Sequence, residues 1–170
     1  MSSKAFTSLM GSVNSAAVVV TTVADDIQAG CLVGYHTQSS IAPQQYCFWL
    51  SKANHTYRAG LLATHFAVHF LTAEDLPLAQ HFATRSGDDT DKFADLDVAA
   101  DAEHGVPLLQ DCPNRMVVER LSIVDDGGDH VCVTARVVDA ESTGKFTPLR
   151  IADLGKMAPA HGSDERAVHP

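Results

Sequence analysis

Two runs rich in β-branched residues, Met116–Val124 and His130–Val138, are separated only by Asp125-Asp126-Gly127-Gly128-Asp129. A cluster of aspartates and glycines reverses the chain, so the runs predict two strands of one hairpin. The same reading applies near the N-terminus. Val13–Val23 (VNSAAVVVTTV) predicts a strand, Ala24-Asp25-Asp26 a turn, and Gln28–Tyr35 a second strand. Within it Gly30 and Gly34 mark places where the chain bends or lets something approach closely. After a polar loop at His36–Ser40 and Pro43, Gln45–Leu50 predicts a third strand, in which Trp49 is expected to be core, and His65–Leu71 another. Helical signals are short. Thr56–Leu62 carries a candidate N-cap in Thr56, and Thr72–Phe82 has a Thr72 cap, Glu74-Asp75 in its first turn and an early Pro77. Arg85–Lys92 predicts a charged loop, and Asp95–Gly105 is acidic without a clear period. Strands dominate, which predicts a mostly β fold: an antiparallel barrel or sandwich with short helical insertions. Residues 1–140 are expected to form the domain. Residues 141–170 read as a C-terminal arm or tail, in which only Pro148-Leu149-Arg150-Ile151 and Leu154 have the apolar character to dock.

The chain's 170 residues suit one domain. With 12 basic and 21 acidic side chains its formal charge is −9, which argues against nucleic-acid partners and a polybasic membrane contact. No apolar run reaches the ~18 residues of a membrane-spanning helix, and the N-terminus lacks the order of a signal peptide, so the expected location is cytoplasmic. Cys31, Cys47, Cys112 and Cys132 show no C-x-x-C or metal-site spacing and read as small buried hydrophobes. His65 and His69 on one strand would stand roughly 13 Å apart at about 3.3 Å per residue, too far to share a metal. Dinucleotide-binding, phosphate-loop and nucleophile-elbow glycine motifs are absent from the sequence.

Several segments, taken in order, resemble the flavin reductase-like family. They are Gly11–Thr22 (GSVNSAAVVVTT), Gly30–Pro43 (GCLVGYHTQSSIAP), Phe48–Thr56 (FWLSKANHT), His65–Leu71, Leu78–Phe93 (LAQHFATRSGDDTDKF), Gly105–Leu109 and Gly128-Asp129-His130. The likeness spans roughly residues 9–140. It implies an antiparallel Greek-key split β-barrel that binds FMN, with FAD as the related choice, and takes NAD(P)H as co-substrate. It further implies a homodimer, hydride transfer from NAD(P)H to the flavin, and service as the reductase component of a two-component monooxygenase. By the same resemblance the ring would lie against Val33, Gly34, Tyr35, Gln38 and Ser39. The phosphate would be held by Ser51, Lys52, Asn54 and Thr56, with Lys92 and Phe93 beside the cofactor. His130 would meet the nicotinamide as the candidate catalytic residue. Without a ligand, Ser51–Thr56 reads equally as a polar loop with a helix cap. The family's T-x-S-S, which supplies hydroxyls to the ring, is here Leu32-Val33-Gly34-Tyr35. That departure leaves open a flavoprotein that retains FMN or a deazaflavin with another electron donor, or a non-catalytic flavin- or haem-binding barrel.

Overall fold

The computed structural model describes residues 2–85, 87–88 and 90–155. Helix α1 (Ser2–Val13) leads into β1 (Val18–Ala24) and β2 (Ile27–Val33), then β3 (His36–Ser40) and β4 (Gln45–Ser51). Helix α2 (His55–Leu62) and strand β5 (His65–Phe70) follow, and a 3-10 turn (Ala73–Asp75) enters α3 (Leu76–Thr84). Short strands β6 (Val98–Ala100) and β7 (Pro107–Leu109) precede the long hairpin of β8 (Arg115–Val124) and β9 (His130–Glu141). A second 3-10 turn spans Ile151–Leu154.

Seven strands form one curled antiparallel sheet in the order β2-β1-β5-β8-β9-β4-β3, a half-barrel whose edges are β2 and β3. Its concave face encloses Val18, Val20, Cys31, Val33, Phe48, Leu50, Phe66, Val68, Val118 and Val133. The opposite face of β1 and β2 meets a second core of Val19, Leu71, Phe82, Phe93, Leu109, Leu149 and Leu154. Strand β1 is therefore buried on both sides, which is why Val18-Val19-Val20 is an unbroken apolar run. Alternation survives on β9, where one face reaches solvent.

The differences from the sequence reading have physical causes. The first strand starts at Val18 rather than Val13, because the preceding residues form α1 and Asn14 turns the chain at φ 46°. His36–Ser40 is a strand rather than a loop. It is an exposed edge, so its polar side chains show no buried face. His36 fastens it: Nε2–H donates to the Ala16 carbonyl at 2.8 Å, and Nδ1 accepts from the Tyr46 hydroxyl at 2.6 Å. Asn54, in extended conformation, holds the cap position of α2, and Thr56 lies one residue inside the helix, buried, rather than capping it. Thr72 does cap the turn before α3, with its N–H and hydroxyl both donating to Asp75.

The acidic stretch without a period holds β6, paired to β7. Buried His69 fixes this ribbon to the sheet: Nδ1–H donates to the Val19 carbonyl and Nε2 accepts from the Leu109 N–H at 3.1 Å. Burial pushes the His69 pKa down to about 4, against the pull of the Val19 carbonyl. His65, four residues earlier, stacks on His104 with ring centroids 3.8 Å apart. The four cysteines are unpaired, and Cys31, Cys47 and Cys112 are buried. Residues 148–154 fold back onto the sheet. Leu149 accepts from Ala17 N–H, donates to the Leu71 carbonyl and is buried with Leu154. Among the described residues no helix is long and apolar enough to cross a membrane.

Candidate functional site

Where β2 hands over to β3, the chain leaves the ladder with β1 after the Val18↔Val33 pair. Gly34 and Tyr35 form the crossing, and the Tyr35 carbonyl accepts from Trp49 N–H at 2.9 Å, joining it to β4. Strand β4 ends at Ser51, directly beside its β9 partner His130. The loop after β4 then turns into α2. These connections surround a cleft of about 240 Å³ lined by Leu32, Val33, Gly34, Tyr35, Trp49, Ser51, Asn54, His130 and Ile151. Six of the residues expected at a cofactor site (Val33, Gly34, Tyr35, Ser51, Asn54 and His130) therefore converge from three places in the chain.

One end of the cleft is rich in donors. Asn54 caps α2 without spending its side chain on a cap hydrogen bond, so its amide and the first N–H groups of the helix stand together. A helix N-terminus favours an anion because its free N–H groups and its dipole point the same way. The Ser51 hydroxyl adds a further donor and accepts from Ala53 N–H at 3.4 Å. Beneath this loop lies the Cys31 thiol, close to Thr56 and Asn54. Burial pushes its pKa up, with Lys92 and the Thr56 and Asn54 side chains opposing. Thr56 thus supports the loop from the interior.

The other end is aromatic. Tyr35, 63% exposed, leans on His130 with ring centroids 5.1 Å apart and planes at 59°. His130 Nδ1–H donates to the Asp129 carboxylate at 2.7 Å, which leaves Nε2 as the acceptor nitrogen. The Lys52 N–H donates to the Asp129 carbonyl at 3.0 Å, so the donor loop and the His130 turn are tied together.

Other expected residues lie elsewhere. The Lys52 ammonium is nearly buried and pairs with Asp125 at 2.8 Å across the β8–β9 turn, holding that carboxyl below the usual range. Gln38 and Ser39 are on exposed β3, where the Gln38 amide donates to the Ser40 carbonyl. Lys92 and Phe93 face a separate cleft of about 580 Å³, shared with His55, Asp88 and Asp91. There the Lys92 Nζ donates to the carbonyls of Gly30 at 3.0 Å and Phe82 at 3.3 Å, and burial lowers its pKa. Phe93 packs edge-on against Phe82. Both residues therefore serve the outer core of this chain. Gly30 permits that packing, because a Cβ there would stand 2.8 Å from Phe82.

Sequence reasoning missed three lining residues, Leu32, Trp49 and Ile151. Trp49 is half-buried and lines the cleft as well as the sheet. Ile151 arrives from the C-terminal segment. Its signal was the short apolar run after Pro148, which marks docking without marking where.

Residues 10–155 match the model of the flavin reductase like domain family. FMN reductase (NADH) SmoA of Agrobacterium fabrum is 30% identical over 138 residues, covering 81% of this chain and 76% of that protein. The reductase subunit HsaB of a flavin-dependent monooxygenase from Mycobacterium tuberculosis is 25% identical over 177 residues, covering 95% and 89%. Among solved structures, the NADH:FAD oxidoreductase SgcE6 of Streptomyces globisporus C-1027 superposes with a TM-score of 0.71 at 22% identity, covering 88% of this chain and 87% of that one. That likeness shows the shared fold. With a matching domain over most of its length, the chain belongs to the flavin reductase like domain family.

Proposed function

We propose that this protein is an NAD(P)H-dependent flavin reductase that binds FMN, or FAD in its place. It would act as a cytoplasmic homodimer and supply reduced flavin to a monooxygenase partner. The observation that carries the reading is the meeting of the α2 N-terminus, the Gly34-Tyr35 crossing and His130 on one cleft. The donor set fits a flavin mononucleotide. An anionic phosphate needs several N–H and O–H donors in an acidic protein, and Ser51, Asn54 and the α2 N-terminus provide them at one end. At the other end, Val33, Trp49, Tyr35 and Ile151 supply the apolar and aromatic surface that a flat ring requires.

A bound flavin would supply the redox chemistry, as acceptor of a hydride from a reduced nicotinamide. The chain's own task is to bind, orient and exclude water. Gly34, lacking a Cβ, lets the Ile151 side chain pack against the main chain at the crossing. The Asp129 carboxylate fixes the His130 tautomer, so Nε2 presents a lone pair to a carboxamide N–H of a nicotinamide. Tyr35, with its ring 5.1 Å from that of His130, adds an aromatic surface beside it.

A second reading is favoured by Tyr35 alone. Its exposed ring stands where the family has a small hydroxyl residue, and stacking on the flavin would turn an exchangeable substrate into a retained prosthetic group. Steady-state oxidation of NADH and NADPH with increasing free FMN tests the proposal. A reductase shows saturable dependence on added FMN, whereas a retained flavin gives purified yellow protein whose turnover ignores it.

A further inference from the structure

Gly34 and Ile151 pack against each other in the lining of the cleft, although they lie over a hundred residues apart in sequence. A Cβ built on Gly34 would stand 2.9 Å from Ile151 Cδ1 and 3.2 Å from Cγ1. The isoleucine side chain therefore fills the space that any larger residue at position 34 would claim. Its backbone is held firmly there. Ile151 N–H donates to the Ser15 carbonyl at 2.9 Å, Ala152 N–H to Asn14 Oδ1 at 2.9 Å, and Arg150 N–H to Asp153 Oδ2 at 2.8 Å. On either side Leu149 and Leu154 are buried in the outer core. Ile151 itself stays 38% exposed and lines the cleft together with Trp49 and His130. An apolar side chain left half-open between two buried anchors has surface to offer a ligand rather than a core.

We infer that Ile151 and Gly34 form a matched pair that builds the apolar wall of the ring-binding end, making Ile151 a cofactor-positioning residue contributed by the C-terminal segment. The inference rests on the flavin reading above and deepens it. The pair presents the Ile151 methyl groups, rather than a polar group, to the ring at this point of the cleft. Of this C-terminal segment, Ile151 is the side chain that thereby joins the binding site, while Leu149 and Leu154 remain in the outer core.

A double-mutant cycle on the full chain, read by FMN fluorescence titration and visible circular dichroism of the bound flavin, tests the pairing. Gly34→Ser forces its new Cβ against Ile151 and is expected to weaken FMN binding roughly tenfold, while Ile151→Ala removes the wall and weakens it about threefold. In the double variant the serine has room, and affinity is expected to return to within about threefold of wild type. Leu154→Ala separates positioning from mere anchoring, since it loosens the same turn from its buried end without lining the cleft. It is expected to lower thermal stability while leaving the flavin's visible dichroism unchanged. Additive losses in the cycle, or a dichroism change in Leu154→Ala equal to that of Ile151→Ala, overturn the inference while wild-type binding upholds the flavin reading. Failure of the wild-type protein to bind FMN overturns both.

Discussion

Acidification should unfasten the β6–β7 ribbon through His69. This imidazole is buried, donates to the Val19 carbonyl and accepts from Leu109 N–H, an arrangement open only to the neutral ring. Its pKa falls from 6.5 to about 4 chiefly because burial penalises the charged form, with Arg115 acting in the same direction. Between those two values the unfolded chain binds a proton that the folded chain refuses, so stability must fall as pH is lowered. The contribution is complete above about pH 6.5 and lost as pH drops toward 4. A shift of this size amounts to about 3 kcal/mol in full, of which about 2 kcal/mol is lost by pH 5. Urea unfolding of wild type and His69→Phe at pH 7.5 and pH 5 measures it. The variant should be less stable at pH 7.5 by about 1–3 kcal/mol, since Leu109 N–H loses its acceptor. It should also lose the His69 share of the pH slope, while the shares of His36 and His65, also depressed by burial, remain. Equal slopes in the two proteins, or an NMR titration placing His69 near 6.5, would refute the reasoning.

Other expectations concern the cleft and the outer core. His130→Ala should raise the KM for NADH by roughly 10-fold through loss of the Nε2 acceptor while leaving FMN affinity unchanged, which steady-state kinetics and flavin titration together decide. Asn54→Ala should weaken FMN binding by about tenfold. Lys52→Met should change it far less, because that ammonium is already committed to Asp125. Isothermal titration compares the two. Gly30→Ala should destabilise the fold by about 1–3 kcal/mol in chemical denaturation, since its Cβ meets Phe82 and Phe93 at 2.8 and 3.1 Å.

Much of this architecture was legible in the chain. The Asp125–Asp129 cluster between two β-branched runs specified the β8–β9 hairpin, and the β-branched run through Val18–Val20 specified the first strand, though not its burial on both faces. The opposite cases share a cause. His36–Ser40 is an edge strand and β6 a short ribbon, so neither presents the alternating burial by which a strand is read. At the site, the glycine at 34, the polar loop from Ser51 and the histidine after the turn were visible locally, because each depends on its own short segment. Lys52 and Lys92 were not, because a lysine's role depends on which carboxylate or carbonyl the fold delivers to it. Asp125 captures one, and the Gly30 and Phe82 carbonyls capture the other. Ile151 shows the same limit from the opposite direction: only the docking of residues 148–154 brings it to Gly34.

The central claim is that one cleft binds a flavin and brings reduced nicotinamide to it. Anaerobic titration of the FMN-loaded protein with NADH, and separately NADPH, while following the visible absorbance of the flavin, tests it most directly. The account predicts bleaching that is stoichiometric with at least one nicotinamide and returns on admission of air. Retention of full colour with both, or an inability to load FMN at all, would contradict it.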